Sequence, residues 1–319
     1  MARLLIVTPN PAIDVTYAVA RQRLGETLRV QDVRRLPGGK GINVARVLRA
    51  LGGDVATLQP LGGASGDWVA DRLARLGVPV LPWTIAGETR TTVAVVDGDA
   101  HPTLLAEPGP ALSDAEWAEA GDAVARAVRA GDWVVVAGSF PPGTTPERIA
   151  SLVAAAHARG ARIAVDTSGP MLLAAAEAGA DVVKANEGEV AEATGHDDRD
   201  AALRLLARSG AVVVMSRGAR GALLRTPDGA VHEQPAVPGV DGNPTGAGDA
   251  ATAGLIAALA AGLGPRDALA WAAVCGAAAV LSPVAGEIDV DALPLLSARL
   301  SPPPSHPLPR ADPDWRPAP

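Results

Sequence analysis

Cysteine is almost missing from this sequence, and its scarcity bounds the chemistry before any motif is read. Cys275 stands alone among 319 residues, so an intramolecular disulfide framework is excluded and a reducing, cytoplasmic setting is expected. The histidines His101, His157, His196, His232 and His306 are scattered without ligand spacing, which argues against a metal site built on His or Cys. Aromatic residues are few, with one Phe, one Tyr and six Trp, too few for a base-stacking platform on single-stranded nucleic acid. Excess positive charge is also absent. The formal net charge is -7, so neither a nucleic-acid footprint nor a basic membrane-binding face is expected. Long apolar runs are lacking too. The stretches Ala250–Leu263 and Ala268–Leu281 are Ala-rich and interrupted by Gly, Arg or Asp, and read as buried helices rather than membrane spans. Leu4 to Val7 is too short for a signal-peptide core and reads as a buried strand.

What the chain does have is apolar content of 48%, enough to bury a large core as one big domain or two smaller ones. Short Val-rich runs at Trp133–Ala137, Arg162–Val165, Asp181–Lys184 and Ala211–Met215 alternate with helical patterns at Pro146–Arg159, Pro170–Ala178 and Ala201–Ser209. Continuous apolar strands alternating with helices predict a mostly parallel sheet covered on both faces. The segments Ile13–Val19, Thr27–Leu36, Thr89–Val96 and Thr103–Ala106 are instead β-branched, partly alternating and mixed with charge. They suit a small sheet off the main core, its last two strands joined by a turn at Asp97-Gly98-Asp99. Ile42 to Leu51 reads as an amphipathic helix with Val44, Val47, Leu48 and Leu51 on one face and Arg46 and Arg49 elsewhere. Ser113 and Glu116 form a capping-box pattern before a helix to about Arg129. The expected partition is one large α/β domain over 1–300, with a small sheet from about 12–36 and 88–106. A Pro-rich tail without packed structure is expected over 301–319.

In open parallel sheets, ligands bind at the carboxyl ends of the strands. Polar or Gly-rich segments follow nearly every strand here: Asn10, Gly138-Ser139-Phe140-Pro141-Pro142-Gly143, Asp166, Asn186-Glu187-Gly188-Glu189 and Ser216-Arg217-Gly218. A sharper signal is Gly246-Ala247-Gly248-Asp249, where a Gly-rich turn opens an Ala/Leu/Ile-rich helix. The first amides of such a helix lack partners and the dipole favours an anion there. Read alone, the same residues also fit an ordinary helix start. No P-loop, no dinucleotide fingerprint and no Gly-x-Ser-x-Gly elbow occurs.

The motifs Thr8-Pro9-Asn10-Pro11-Ala12-Ile13-Asp14, Gly38-Gly39-Lys40-Gly41-Ile42-Asn43-Val44-Ala45-Arg46, Gly138–Gly143 and Gly246–Asp249 occur in that order. Together they resemble the PfkB (ribokinase-like) carbohydrate kinases, in the branch containing 1-phosphofructokinase and tagatose-6-phosphate kinase. That resemblance implies a three-layer α/β/α domain with a small β-sheet lid, and an ATP-dependent kinase acting on a sugar hydroxyl. It implies Asp249 as general base and the Gly246, Ala247 and Gly248 amides as the anion hole for the transferring phosphoryl group. Asp14, Gly38, Gly39 and Asn43 would hold the sugar; Lys40, Arg90 and Ser139 would hold a substrate phosphate. Lys184, Asn186, Ser216, Gly218 and Gly221 would lie on the nucleotide side, with Glu189 acting through Mg2+.

Two positions depart from the family pattern: Ala185 stands where relatives have Pro, and Thr92 where 1-phosphofructokinases often carry Asn. Asn243-Pro244 leads into the anion hole as in the tagatose-6-phosphate variant. The expected substrate is therefore a ketohexose phosphate, fructose 1-phosphate, fructose 6-phosphate or tagatose 6-phosphate. The alternatives are a kinase of an unphosphorylated sugar or nucleoside, and a silent sugar- or nucleotide-binding regulator. A homodimer through the lid is the expected assembly.

Overall fold

The Val-rich runs become interior strands because both of their faces are covered by helices, so no alternation with polar residues is required. A computed structural model describes residues 2–23, 25–97, 103–197, 199–282 and 284–308. The first strands along the chain are β1 (Leu4–Val7), β2 (Ala12–Val19), β3 (Val30–Gly38), β4 (Val55–Leu58) and β5 (Val80–Leu81). Then come β6 (Arg90–Val96), β7 (Thr103–Ala106), β8 (Trp133–Ala137), β9 (Arg162–Asp166) and β10 (Val182–Asn186). The last are β11 (Val212–Ser216), β12 (Ala222–Arg225) and β13 (Val231–Gln234). The helices are α1 (Lys40–Ala50), α2 (Gly63–Arg75), α3 (Asp114–Ala127), α4 (Pro146–His157) and α5 (Pro170–Glu177). They continue with α6 (Glu187–Thr194), α7 (Arg199–Leu206), α8 (Ala247–Ala260), α9 (Pro265–Val280) and α10 (Leu293–Ala298).

The large sheet has the order β13-β12-β11-β10-β9-β8-β1-β4-β5, parallel except where β12 and β13 turn back antiparallel at one edge. Its two faces bury different sets. Leu4, Ile6, Trp133 and Val135 pack with α1, α8 and α9 through Ile42, Leu48, Leu255 and Val274. Leu5, Val7, Val134 and Ile163 pack on the other face with Val124, Leu152, Leu172 and Leu203 of α3, α4, α5 and α7. The small sheet runs β3-β2-β6-β7, with β2 parallel to β6 and its other pairs antiparallel.

Several local features depart from the sequence expectation. The pair β12 and β13 and the short helix α6 carry no strong periodic signal; β13 in particular reads Val-His-Glu-Gln and takes its strand form from pairing with β12. Arg46, expected off the buried face of its helix, is only 8% exposed. The α1 helix is covered from Gly41 to Leu48, because the sheet packs one side and α8 the other.

The segment after residue 300, expected to lack packed structure, docks on α9 as far as residue 308. Its Ser305 amide donates to Asp267 Oδ1 at 2.9 Å, and His306 Nδ1 lies 3.0 Å from Asp267 Oδ2. Trp271 Nε1 donates to the His306 carbonyl at 2.9 Å. Leu308 then closes one side of an apolar cavity of about 280 Å³ beside Leu4, Leu48 and Leu51. Residues 309–319 lie outside the described residues, as do residues 98 and 99 of the expected turn after Asp97.

Ile163 is fully buried at the centre of the second face. Ile163→Ala should lower the unfolding free energy by about 2–5 kcal/mol, read as a shift of the denaturant midpoint at constant m value.

Candidate active site

The first turns of α1 and α8 meet at the carboxyl end of the large sheet. Gly246, the N-cap of α8, has φ 83°, a left-handed conformation that admits Gly and strains other residues. Thr245 N donates to Asn243 Oδ1 at 3.0 Å, an Asx-type contact that shapes the lead into the helix. No side chain caps α8. Of the three amides expected to form an anion hole, that of Ala247 already donates to the Pro244 carbonyl at 3.1 Å, whereas Gly246 and Gly248 make no such turn bond among the described residues. The open donors at this helix start are thus Gly246 and Gly248.

Asp249 sits in that first turn, 7% exposed, and its Oδ2 accepts a 2.8 Å hydrogen bond from Asn43 Nδ2. Burial pushes its carboxyl up to about 6, and the nearby Asp166 charge adds to this. Asn43, Lys184 and Lys40 act in the opposite sense. A buried carboxylate near a helix start is therefore made basic enough to take a proton near neutrality.

One helical turn further, Thr252 Oγ1 donates to Asp166 Oδ2. Asp166 is buried at the end of β9 and bonds Lys184 Nζ at 2.7 Å, with Lys40 Nζ 3.9 Å away. Burial alone would raise the Asp166 carboxyl, but the two ammonium groups and the Thr252 hydroxyl hold it low. Lys40 also faces Glu189 Oε1 at 3.3 Å. Burial works against its charge, yet Asp166, Glu189 and Asp249 together raise it above the ordinary lysine value.

Glu189 has a second attachment. It forms a capping box with Asn186, accepting from the Asn186 amide at 2.8 Å while its own amide donates to Asn186 Oδ1 at 2.9 Å. Ser216 lies level with Asn186 on the neighbouring parallel strand. Gly218 opens the 3-10 turn Gly218–Arg220, with φ 57° and no atom near an added Cβ. Gly221 has a different reason to be Gly, since a Cβ there would lie 2.0 Å from the Gln234 carbonyl. Among the described residues no cluster of three His, Cys, Asp or Glu side chains could cage a metal. The donor set, one partly exposed carboxylate at Glu189, suits an ion held mostly by phosphate and water.

On the other side of α1, Asp14 of β2 lies against Gly38, where any Cβ would meet the Asp14 carboxyl carbon at 2.1 Å. Gly39, with φ 115°, is crowded by Thr8 Cγ2 at 2.9 Å. Burial pushes Asp14 up to about 6, while Arg90, the Gly39 amide and Arg46 pull it down. Arg90 directs Nη1 to the Glu107 carbonyl at 2.7 Å and Nη2 to the Asn10 carbonyl at 3.1 Å. Asn10 Nδ2 in turn reaches Pro108 O at 3.1 Å and Ser139 Oγ at 3.5 Å.

The three residues expected to hold a substrate phosphate are thus divided. Arg90 and Ser139 share the Asn10 neighbourhood, whereas Lys40 joins the Asp166, Glu189 and Lys184 cluster. Thr252 and Arg46 were given no role from sequence, and Asp166 and Asn10 stood out only as polar residues at strand ends. The position of Asp166 at a strand end and of Thr252 three residues after Asp249 were legible signals. The burial of Arg46 had none, because it depends on the distant segment 284–287.

Comparison with known proteins adds an independent finding. The family described as pfkB family carbohydrate kinase matches residues 7–292. The chain is 38% identical over 267 residues to 1-phosphofructokinase of Xanthomonas campestris pv. campestris, covering 80% of this chain and 83% of that protein. It is 33% identical over 289 residues to ATP-dependent 6-phosphofructokinase isozyme 2 of Mycobacterium tuberculosis, covering 88% and 85%. The crystal structure of phosphofructokinase-2 from Escherichia coli in complex with potassium superposes with TM-score 0.88 at 30% identity, covering 94% of this chain and all of that one.

The raised Asp249 carboxyl has a consequence for stability. Its folded value exceeds the unfolded one, so the stability it contributes is fully present below about pH 4 and is lost as pH rises through about 6. Asp249→Asn should therefore be more stable than wild type at pH 8, by up to about 3 kcal/mol of unfolding free energy for a rise of roughly two units, and melt correspondingly higher. The difference should vanish near pH 4 in a calorimetric series.

Proposed function

The chain belongs to the pfkB family of carbohydrate kinases, with the ribokinase-like α/β fold and phosphofructokinase-type sugar kinase activity, and on that premise we propose that it phosphorylates a ketohexose phosphate to the bisphosphate with ATP. The observation that carries the mechanism is Asp249, buried beside the Gly246 and Gly248 amides, which are unpartnered among the described residues, and held by Asn43. The acceptor hydroxyl gives its proton to Asp249 as its oxygen bonds to the γ-phosphorus, and the bond to the ADP oxygen breaks. Little covalent help is needed in such a transfer, so positioning and charge stabilisation dominate. The helix-start amides meet the developing charge on the phosphoryl oxygens; Ala247, as the second residue of the turn, sets their spacing.

Asp14, Gly38, Gly39 and Asn43 hold the sugar, and Arg90, Lys40 and Ser139 recognise its phosphate. Lys184, Asn186, Ser216, Gly218 and Gly221 receive the nucleotide. Mg2+ beside Glu189 would neutralise phosphate oxygens when bound. The small sheet acts as a lid whose closure excludes competing water. Its outer positions Val30, Val33, Leu104 and Leu105 are exposed and form the contact of a homodimer. A cytoplasmic location agrees with the ATP requirement, and no helix of the described residues is long and apolar enough to cross a membrane.

The relatives' names motivate fructose 1-phosphate and fructose 6-phosphate as first substrates, with tagatose 6-phosphate third. One observation favours the second reading, a kinase of an unphosphorylated sugar or nucleoside: the Arg90 fork is already engaged with two backbone carbonyls.

A coupled assay of ADP release across the three ketohexose phosphates, fructose and ribose separates the two readings. The phosphorylated sugars should win by at least an order of magnitude in kcat/KM, and Arg90→Ala should raise KM roughly tenfold or more for them alone. Equal rates on free fructose would remove the substrate class. Asp249→Asn should lower kcat about 10²–10⁴-fold with ATP binding retained in calorimetry. Sedimentation at micromolar concentration should give a dimer; a monomer would remove the lid contact.

A further inference from the structure

Arg46 has no part in the reaction as described so far, yet it is among the most buried charged side chains of the molecule. It lies one helical turn after Asn43 on α1. Its fork reaches across to the segment that follows α9, with Nη1 donating to the Ala285 carbonyl at 2.9 Å and Nη2 to Glu287 Oε1 at 2.7 Å. Between these two contacts stands Gly286, with φ 75°. A Cβ on Gly286 would lie 2.7 Å from Asn43 Oδ1 and 3.0 Å from Arg46 Nη1. The same segment touches the other half of the site, since a Cβ on Gly246 would lie 3.0 Å from Ala285 Cα and 3.2 Å from the Gly286 nitrogen. The Ala285–Gly286 backbone is thus wedged between the helix-start turn and the side chain that holds Asp249, with no space on either side.

We propose that Arg46 is a positioning residue of the transfer reaction, clamping the Ala285–Glu287 segment so that the Gly246 turn and the Asn43–Asp249 pair keep their relative placement. The inference rests on the kinase reading above. A bidentate guanidinium suits this work because two acceptors in one plane fix an orientation as well as a distance. Lysine, a point charge with freely rotating donors, fixes no such plane. The clamp is costly to disturb because its donors are desolvated and would be left unpaired.

Arg46 also has an electrostatic reach. The charged groups facing Asp14 are Arg90 from β6 and Arg46 from α1, and the Gly39 amide also bonds it; Glu107 lies behind Arg90. Removing the Arg46 cation leaves Asp14 easier to protonate, so binding of the sugar hydroxyls fails at a higher pH.

The test begins with wild-type turnover on a ketohexose phosphate; its absence would overturn the functional reading itself. Given turnover, Arg46→Ala should lower kcat about 10²-fold, the scale of a misplacement near 1 Å, with KM for ATP within about threefold of wild type. The acid limb of kcat/KM for the sugar should move to higher pH. Arg46→Lys should recover part of the kcat and return the acid limb to its wild-type position. Gly286→Ala, which displaces the segment but keeps the charge, should lose kcat without moving the acid limb. Should Arg46→Ala fail to fold, the lysine and Gly286 variants carry the test. Wild-type kcat in Gly286→Ala, or in both arginine variants, would overturn the clamp.

Discussion

The 2.8 Å hydrogen bond from Asn43 to Asp249 is the contact on which the rest of the site depends. It joins the first turns of α1 and α8, which lie on the same face of the large sheet and pack directly on each other. Both turns are built from backbone geometry that side chains would obstruct, at Gly38 and Gly39 before α1 and at Gly246 before α8. The consequence is a place where helix starts converge with their amides uncovered. A carboxylate is held there against the solvation it would prefer. Burial of Asp249 is a cost to the fold and the source of its basicity, and the hydrogen bond limits that cost without removing it.

Around this contact the charges are arranged in series. Lys184 and Lys40 flank Asp166; Lys40 also meets Glu189; Asp249 stands beyond. Each ammonium lies between carboxylates, so in the absence of ligand the cluster neutralises itself. Under the proposed function, a bound polyphosphate would compete with those carboxylates for the same cations. The site would then release an internal partner for each anionic group it accepted, which favours specificity over raw affinity.

Much of this order was legible in the sequence, for physical reasons that can be named. Continuous apolar runs mark strands covered on both faces, and β8, β9, β10 and β11 fall within two residues of the runs that announced them. Ser113 and Glu116 form the capping box that their spacing suggested. The Gly-rich segments stand at strand ends because a parallel sheet leaves its loops there. What could not be read was set by partners distant in the chain. The helix α6 is short and weakly patterned, so no periodic run announces its capping box between Asn186 and Glu189. The β12–β13 edge owes its form to pairing. The anchoring of residues 305 and 306 on Asp267 is invisible in a segment whose composition resembles a solvated tail. Composition reports what a segment can do without partners, and these segments have partners.

The small sheet pairs β2 in parallel with β6, so that Ala12 lies level with Arg90 and Asp14 with Thr92. Asp14 and Arg90 therefore stand on a different sheet from Lys184, within β10, and from Asn186 and Ser216, which end strands of the large one. On the proposed reading, part of what is recognised and part of what reacts would belong to separate pieces of architecture. Substitutions in β2 and β6 would then reshape the sugar side while the converged helix starts kept their geometry. A lineage built on this plan would change its diet one strand at a time and leave most of its chemistry in place.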